Sequence, residues 1–215
     1  MNYIKIRNGL MLIVVYLLAA CSSSSTRSNH DTTIVDYTIK QGEPLPPKDW
    51  HCYNVDEDKI CTPATWGFVK QNSFFFMSDL SHVAPGSYFV VAKQDKKTTG
   101  LDTRKYLKKL YVELKQDTTG TLTQWQTIET TYADKEVIYS EYNISMGKDP
   151  YIVYSTVFEI GNDLYDISLK MSAANAKMYH EAYKNVIYNF YHKNKLIFTS
   201  KDKVVKAKVI DITKL

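Results

Sequence analysis

Between Leu122 and Ser172 the chain holds a two-residue period through four successive runs: Leu122 to Tyr132, Glu136 to Met146, Tyr151 to Ile160 and Leu164 to Ser172. Side chains alternate faces along a strand, so runs of this length with short polar breaks commit the middle of the chain to an antiparallel meander. The last break, Gly161-Asn162-Asp163, has the residues of a tight hairpin. In the final run Tyr165, Ile167, Leu169 and Met171 alternate with Asp166, Ser168 and Lys170, which predicts one buried and one wet face. Ile152, Tyr154, Phe158 and Ile160 repeat the pattern in the run before it.

Two amphipathic segments flank the meander. From Leu101 to Lys115, Leu107, Leu110, Tyr111 and Leu114 recur at helical spacing while Lys105, Lys108, Lys109 and Glu113 fall elsewhere; Asp102 or Thr103 can cap the first turn, and Thr118-Thr119-Gly120 marks the exit. From Ala173 to Tyr191 the stripe is Tyr179, Ala182, Tyr183, Val186, Ile187 and Phe190. Earlier, Phe74 to Met77 and Ser87 to Lys93 are short β-prone runs around the turn pair Pro85-Gly86, and Lys59 to Trp66 reads as a strand ending at Pro63. With 17 Tyr against 8 Gly the composition also leans toward sheet. The expectation is an α+β domain: a central antiparallel sheet flanked by two main helices that cover its faces.

The N-terminus has a different character. Lys5 and Arg7 precede the apolar run Gly9 to Leu18, a positive region followed by an apolar segment too short to span a bilayer, as in a secretory signal peptide. Leu18-Ala19-Ala20-Cys21 then resembles the lipobox of bacterial lipoproteins, which implies that Cys21 is the lipidated first residue of the mature chain. Ser22 after that cysteine, in place of Asp, points by the same resemblance to the outer membrane, facing the periplasm. The expected organisation is a signal peptide over 1–20, a lipidated tether over 21–47 with a short strand around Ile34, Tyr37 and Ile39, the domain over 48–200, and a lysine-rich strand or tail over 201–215. Without the signal, Lys and Arg number 25 against 23 Asp and Glu; this near balance argues against nucleic acid as a partner.

With Cys21 assigned to lipid, Cys52 and Cys61 remain as a pair that an oxidising compartment would bridge. A competing metal reading gathers His51, Cys52, Asp56, Asp58 and Cys61, but no second Cys-x-x-Cys or His-x-x-x-His element completes a ligand set. Asp56, Glu57 and Asp58 read as a solvated acidic loop. No metal or cofactor is expected.

The order of elements and several phrases resemble the PsbP-like group of α/β/α sandwich proteins, which includes the DcrB-like bacterial lipoproteins. The phrases are Thr62-Pro63-Ala64-Thr65-Trp66, Ser87-Tyr88-Phe89-Val90-Val91, Gly161 through Leu169, and the segment Ala173 to Tyr191, together spanning Lys59 to Phe198. The resemblance implies a central antiparallel sheet with helices on both sides, and binding or assembly work without catalysis. No functional residue transfers, because none of these phrases is a site motif.

A search for catalytic motifs finds no Gly-x-Ser-x-Gly elbow, no His-Glu-x-x-His and no phosphate-cradling glycine loop. His180 and His192, twelve residues apart around the last amphipathic segment, read as surface histidines. Tyr132, Tyr139, Tyr142, Tyr151, Tyr154 and Tyr165 read as a ladder on one sheet face, mostly core. Trp125 and the tail lysines Lys203, Lys206 and Lys208 are candidates for a partner surface, the lysines either guarding a sheet edge or meeting anionic lipid phosphate. The expected role is a non-catalytic binding or assembly module of the cell envelope, held to the membrane through Cys21, with an envelope protein or cell-wall component as partner. The alternatives are an immunity-type protein that neutralises a toxin in the periplasm, and a wall or lipid hydrolase.

Overall fold

The four period-two runs are four long strands: β7 (Thr121–Tyr132), β8 (Lys135–Met146), β9 (Asp149–Ile160) and β10 (Asp163–Ser172). They come from a computed structural model that describes residues 34–35, 48–67, 70–72, 74–132, 135–198 and 207–215. Each pairs antiparallel with the next, and Ile160 faces Asp163 across the two-residue turn Gly161-Asn162. On one side the sheet continues through β6 (Tyr88–Asp95), β5 (Phe75–Asp79) and β4 (Lys70–Asn72); on the other through β13 (Ala207–Ile210) and β1 (Ile34–Val35). The expected short strand near Ile34 is thus present, while Tyr37, Ile39, Cys21 and residues 1–33 lie outside the described residues.

A second, four-stranded sheet is assembled from both ends of the domain, in the order β12 (Lys195–Leu196), β11 (Tyr191–His192), β3 (Asp58–Pro63), β2 (Trp50–Val55). The helices are the short α1 (Lys96–Thr99), then α2 (Thr103–Gln116) and α3 (Ala173–Tyr188), with a 3-10 turn at Ile212–Lys214. Asp102 caps α2, its Oδ1 accepting from the Lys105 N–H at 2.8 Å. Glu159 on β9 adds a second anchor by accepting from the Thr103 N–H and hydroxyl at 2.9 and 3.0 Å.

The large sheet is covered on both faces. Toward α3 and the small sheet, Phe76, Phe89, Val91, Phe158, Tyr165, Ile167 and Leu169 join Trp66, Tyr183, Val186 and Phe190 in the main core. Toward α2, Ile138, Val157 and Leu164 pack against Leu107 and Ile212, and Tyr142, Ile144, Tyr151 and Val153 against Leu114.

This double cover overturns the expectation of a wet face on β10. Asp166, Ser168 and Lys170 are all buried, because α2 and the neighbouring tyrosines lie over them. The register also aligns Thr127, Ser140, Ser155 and Ser168 side by side across β7, β8, β9 and β10, all four buried beneath α2. Ser155 and Ser168 donate to Asp166 Oδ1 at 2.8 and 2.6 Å, and the Tyr106 hydroxyl donates to Oδ2 at 2.6 Å. Burial pushes the Asp166 carboxyl above its usual range, and these three hydrogen bonds offset only part of that rise.

The tyrosines do not form one ladder. Tyr139, Tyr154 and Tyr165 belong to the α3 side, whereas Tyr142 and Tyr151 belong to the α2 side. The helical stripe read as far as Tyr191 ends at Tyr188, where the Asn189 N–H closes the last turn; Tyr191 begins β11.

Candidate functional site

Two hairpin tips of the small sheet meet at its end. β2 turns into β3 through Asp56-Glu57, with Asp56 at φ 53°, and β11 turns into β12 through Lys193-Asn194, at φ 51° and 59°. Only the second loop has a positive φ at both residues, the twist-matched hairpin geometry, and Asn and Asp, at Asn194 and Asp56, tolerate that region best among non-glycine residues. The Lys193 N–H donates to the Glu57 carbonyl at 2.7 Å, locking the tips side by side. Between them lies a cleft of about 320 Å³ lined by Asn54, Asp56, Glu57, Asp58, Lys59, Lys193 and Asn194.

The floor of the cleft is a buried polar clasp. Asp58, 5% exposed, sets Oδ1 2.8 Å from His192 Nδ1 and accepts from the Tyr165 hydroxyl at 3.1 Å. Lys93 Nζ stands 3.4 Å from Oδ2. The second His192 nitrogen faces Glu57 Oε2 at 3.7 Å, and Lys193 Nζ reaches the same oxygen at 3.2 Å. Burial, and then the adjacent Asp58 charge, hold the Tyr165 hydroxyl far above its ordinary pKa, so Tyr165 is a fixed donor. With its oxygens engaged by Tyr165, His192 and Lys93, the Asp58 carboxylate serves as a rivet joining β3 and β11 of the small sheet to β6 and β10 of the large one. The chemistry presented outward is of mixed sign: two carboxylates, two ammonium groups and two amides around one opening.

Cys52 and Cys61 sit directly opposite each other in the β2–β3 register and form a disulfide, so the hairpin that carries Asp56, Glu57 and Asp58 is covalently closed. Asp56 and Glu57 are exposed, as the acidic-loop reading expected, but Asp58 is not: it occupies the inward phase of β3, ahead of Ile60 and Thr62. The histidines depart from the surface reading as well. His192 is in the clasp, and His180 stacks on Tyr154 at 4.3 Å with Nε2 3.2 Å from the Tyr139 hydroxyl. Burial lowers the pKa of His180 and pushes Tyr154 up to about 12.

The remaining candidates lie elsewhere. Trp125 is half-buried on the α2 side, stacked on Tyr142 at 4.2 Å with its indole N–H donated to Thr127 Oγ1 at 2.6 Å. Lys208 is exposed on β13 opposite Glu129, while Lys203 and Lys206 lie outside the described residues.

Neither a family model nor a curated protein matches the sequence. Among solved structures, the cyanobacterial PsbP protein (CyanoP) of Synechocystis superimposes with a TM-score of 0.50 at 12% identity, over 72% of this chain and 98% of that one. The fold is PsbP-like. A Bacteroides thetaiotaomicron protein (TM-score 0.39, 15% identity, 65% of this chain and 46% of that one) is also similar. So is a Pseudomonas aeruginosa protein of unknown function (0.42, 11%, 68% and 96%). At these identities the likeness concerns architecture alone.

Proposed function

We propose that this chain is a lipid-anchored protein of the bacterial cell envelope whose PsbP-like domain is a non-catalytic binding module, engaging an envelope protein or a cell-wall component through the cleft at the hairpin tips. The observation that carries this reading is the pairing of an open, mixed-charge cleft with a buried, hydrogen-bonded floor. Asp56, Glu57, Lys59 and Lys193 present both signs of charge, while the disulfide and the Asp58 clasp hold the two tips in place. A surface already in its bound geometry gives up less ordering entropy on association. The signal-like N-terminus and Cys21 supply the anchor, and Ser22 supports the outer membrane.

Two measurements test the two halves. Cys21→Ser followed by fractionation with a high-salt wash, which strips electrostatic contact but not an acyl chain, should release the protein from membranes; retention through the wash would refute the anchor. A photoreactive side chain at Asn194, introduced in cells, should crosslink a discrete envelope component, and Glu57→Lys with Lys193→Glu should reduce the yield. Equal crosslinking from Asn194 and from Lys177 on α3 would refute the cleft as the binding site, and one stoichiometric toxin-like partner would replace this reading with neutralisation.

A further inference from the structure

The outer surface of α2 carries an unusual set of residues. Its exposed positions are Lys105, Lys108, Lys109, Val112, Lys115 and Gln116, four of them lysines with an exposed valine in their midst. Of these lysines, Lys105 Nζ lies 3.2 Å from Asp102 and Lys109 Nζ 4.0 Å from Glu113; the fifth basic residue of the helix, Arg104, is engaged by Glu129 and Glu136 at 2.7 and 3.1 Å and adds no free charge to the face. The basic surface continues onto the C-terminal elements. Ile212 of the 3-10 turn is buried with Leu107, Lys108 Nζ donates to the Leu215 carbonyl at 2.7 Å, and Lys214 and Lys208 are exposed beside them, with Asp211 3.7 Å from Lys214.

The path of the N-terminal chain leads to the same place. β1 pairs with β13, setting Ile34 opposite Lys208, and β13 runs directly into the turn that packs on α2. Twelve residues separate Cys21 from Ile34, so the thirteen Cα steps between them span at most about 45 Å of fully extended chain. We infer that the face formed by α2, β13 and the C-terminal 3-10 turn docks onto an anionic phospholipid surface, orienting the domain with the hairpin-tip cleft of the opposite layer turned away from the bilayer. The inference rests on the lipid-anchored reading of Cys21 and adds to it a membrane-facing side. Lysines within a Debye length of an anionic leaflet are drawn to it, while Val112 and the lysine stems supply apolar contact at the headgroup level.

The test uses the full mature-length chain with Cys21→Ser, so that no acyl chain masks the contact, in sedimentation with vesicles containing phosphatidylglycerol or made of phosphatidylcholine alone. Binding should require phosphatidylglycerol and weaken with salt. K105Q/K109Q/K115Q should lower the partition coefficient by roughly a hundredfold. The matched triple K97Q/K148Q/K177Q, which removes the same charge from other surfaces, should change it by less than about threefold on the same reasoning. K109Q/K115Q serves if the triple folds poorly. No binding to phosphatidylglycerol vesicles, or equal losses in the two triples, would overturn the docking face. Cell fractionation of the parent and the Cys21→Ser variant after a high-salt wash reads the anchor separately, because salt releases the docking face but not an acyl chain, so the two failures are distinguishable.

Discussion

Lys170 offers the sharpest test of how this interior is organised. Its side chain is fully buried on β10 beneath the α2 side, with Nζ 2.9 Å from Met146 Sδ, 4.3 Å from the Tyr151 ring centroid and 5.4 Å from that of Tyr88. Among the described residues no carboxylate lies within ion-pair distance of it. Burial pulls its pKa from 10.5 down to about 8. Each pKa unit is worth about 1.4 kcal/mol, so the charged form burdens the folded state by about 3 kcal/mol relative to the unfolded chain. Below pH 8 the ammonium is charged in both states and the burden is complete. Between pH 8 and 10.5 the unfolded state binds more protons than the folded one, so stability rises with pH. Lys170→Met substitutes an unbranched apolar side chain one atom shorter and removes the charge. It forfeits the attraction to the two rings, on the order of 0.5 to 2 kcal/mol, which leaves a net gain of about 1 to 3 kcal/mol at pH 7. Urea unfolding of both proteins at pH 7, 8.5 and 10 measures this. The variant should be the more stable at pH 7, and its advantage should shrink steadily toward pH 10. Tyr88 and Tyr151 do not confound that range, since burial raises both phenols. A variant less stable than the parent by an amount independent of pH would refute the argument and assign Lys170 a net favourable role.

Three further outcomes follow from the fold. Asp58→Ala strips acceptors from Tyr165, His192 and Lys93 and should cost about 3 to 5 kcal/mol in thermal or urea unfolding, against about 1 kcal/mol for Tyr165→Phe; similar losses for the two would show that the carboxylate is not the centre of the clasp. Gly86→Ala should destabilise by more than 1 kcal/mol on the order of the usual positive-φ penalty, because Gly86 has φ 71° and a Cβ there would stand 2.8 Å from the Tyr151 hydroxyl; a neutral result in differential scanning calorimetry would contradict the tight packing of that turn. Reducing the Cys52–Cys61 bond should lower stability by roughly 2 to 3 kcal/mol and broaden the amide signals of Asn54, Asp56 and Glu57 in NMR spectra; unchanged spectra would place the rigidity of the tip elsewhere.

The four meander strands and the two long helices were legible because their periods are strong: each of the four runs between Leu122 and Ser172 alternates, and Leu107 and Leu114 repeat at helical spacing, whereas the second, four-stranded sheet was not read. What alternation does not convey is the polarity of an interior layer. Asp166, Ser168 and Lys170 look like a solvent face, although two helices on opposite sides of the sheet already leave no such face for a central strand. The disulfide was legible from residue counting. The clasp was not, since Asp58 and His192 are 134 residues apart and meet only through the β3–β11 register, which no local pattern encodes. The one available signal was the phase of Asp58, two residues before Ile60 in the same strand.

The small sheet draws β2 and β3 from the start of the domain and β11 and β12 from near its end. A chain that emerges N-terminus first must therefore keep the early hairpin waiting until the whole meander and α3 have appeared. A Cys52–Cys61 bond spans only nine residues and needs no later element to form, so it is the one link of the small sheet that can close before β11 is available, and β11 can join only after the meander and α3.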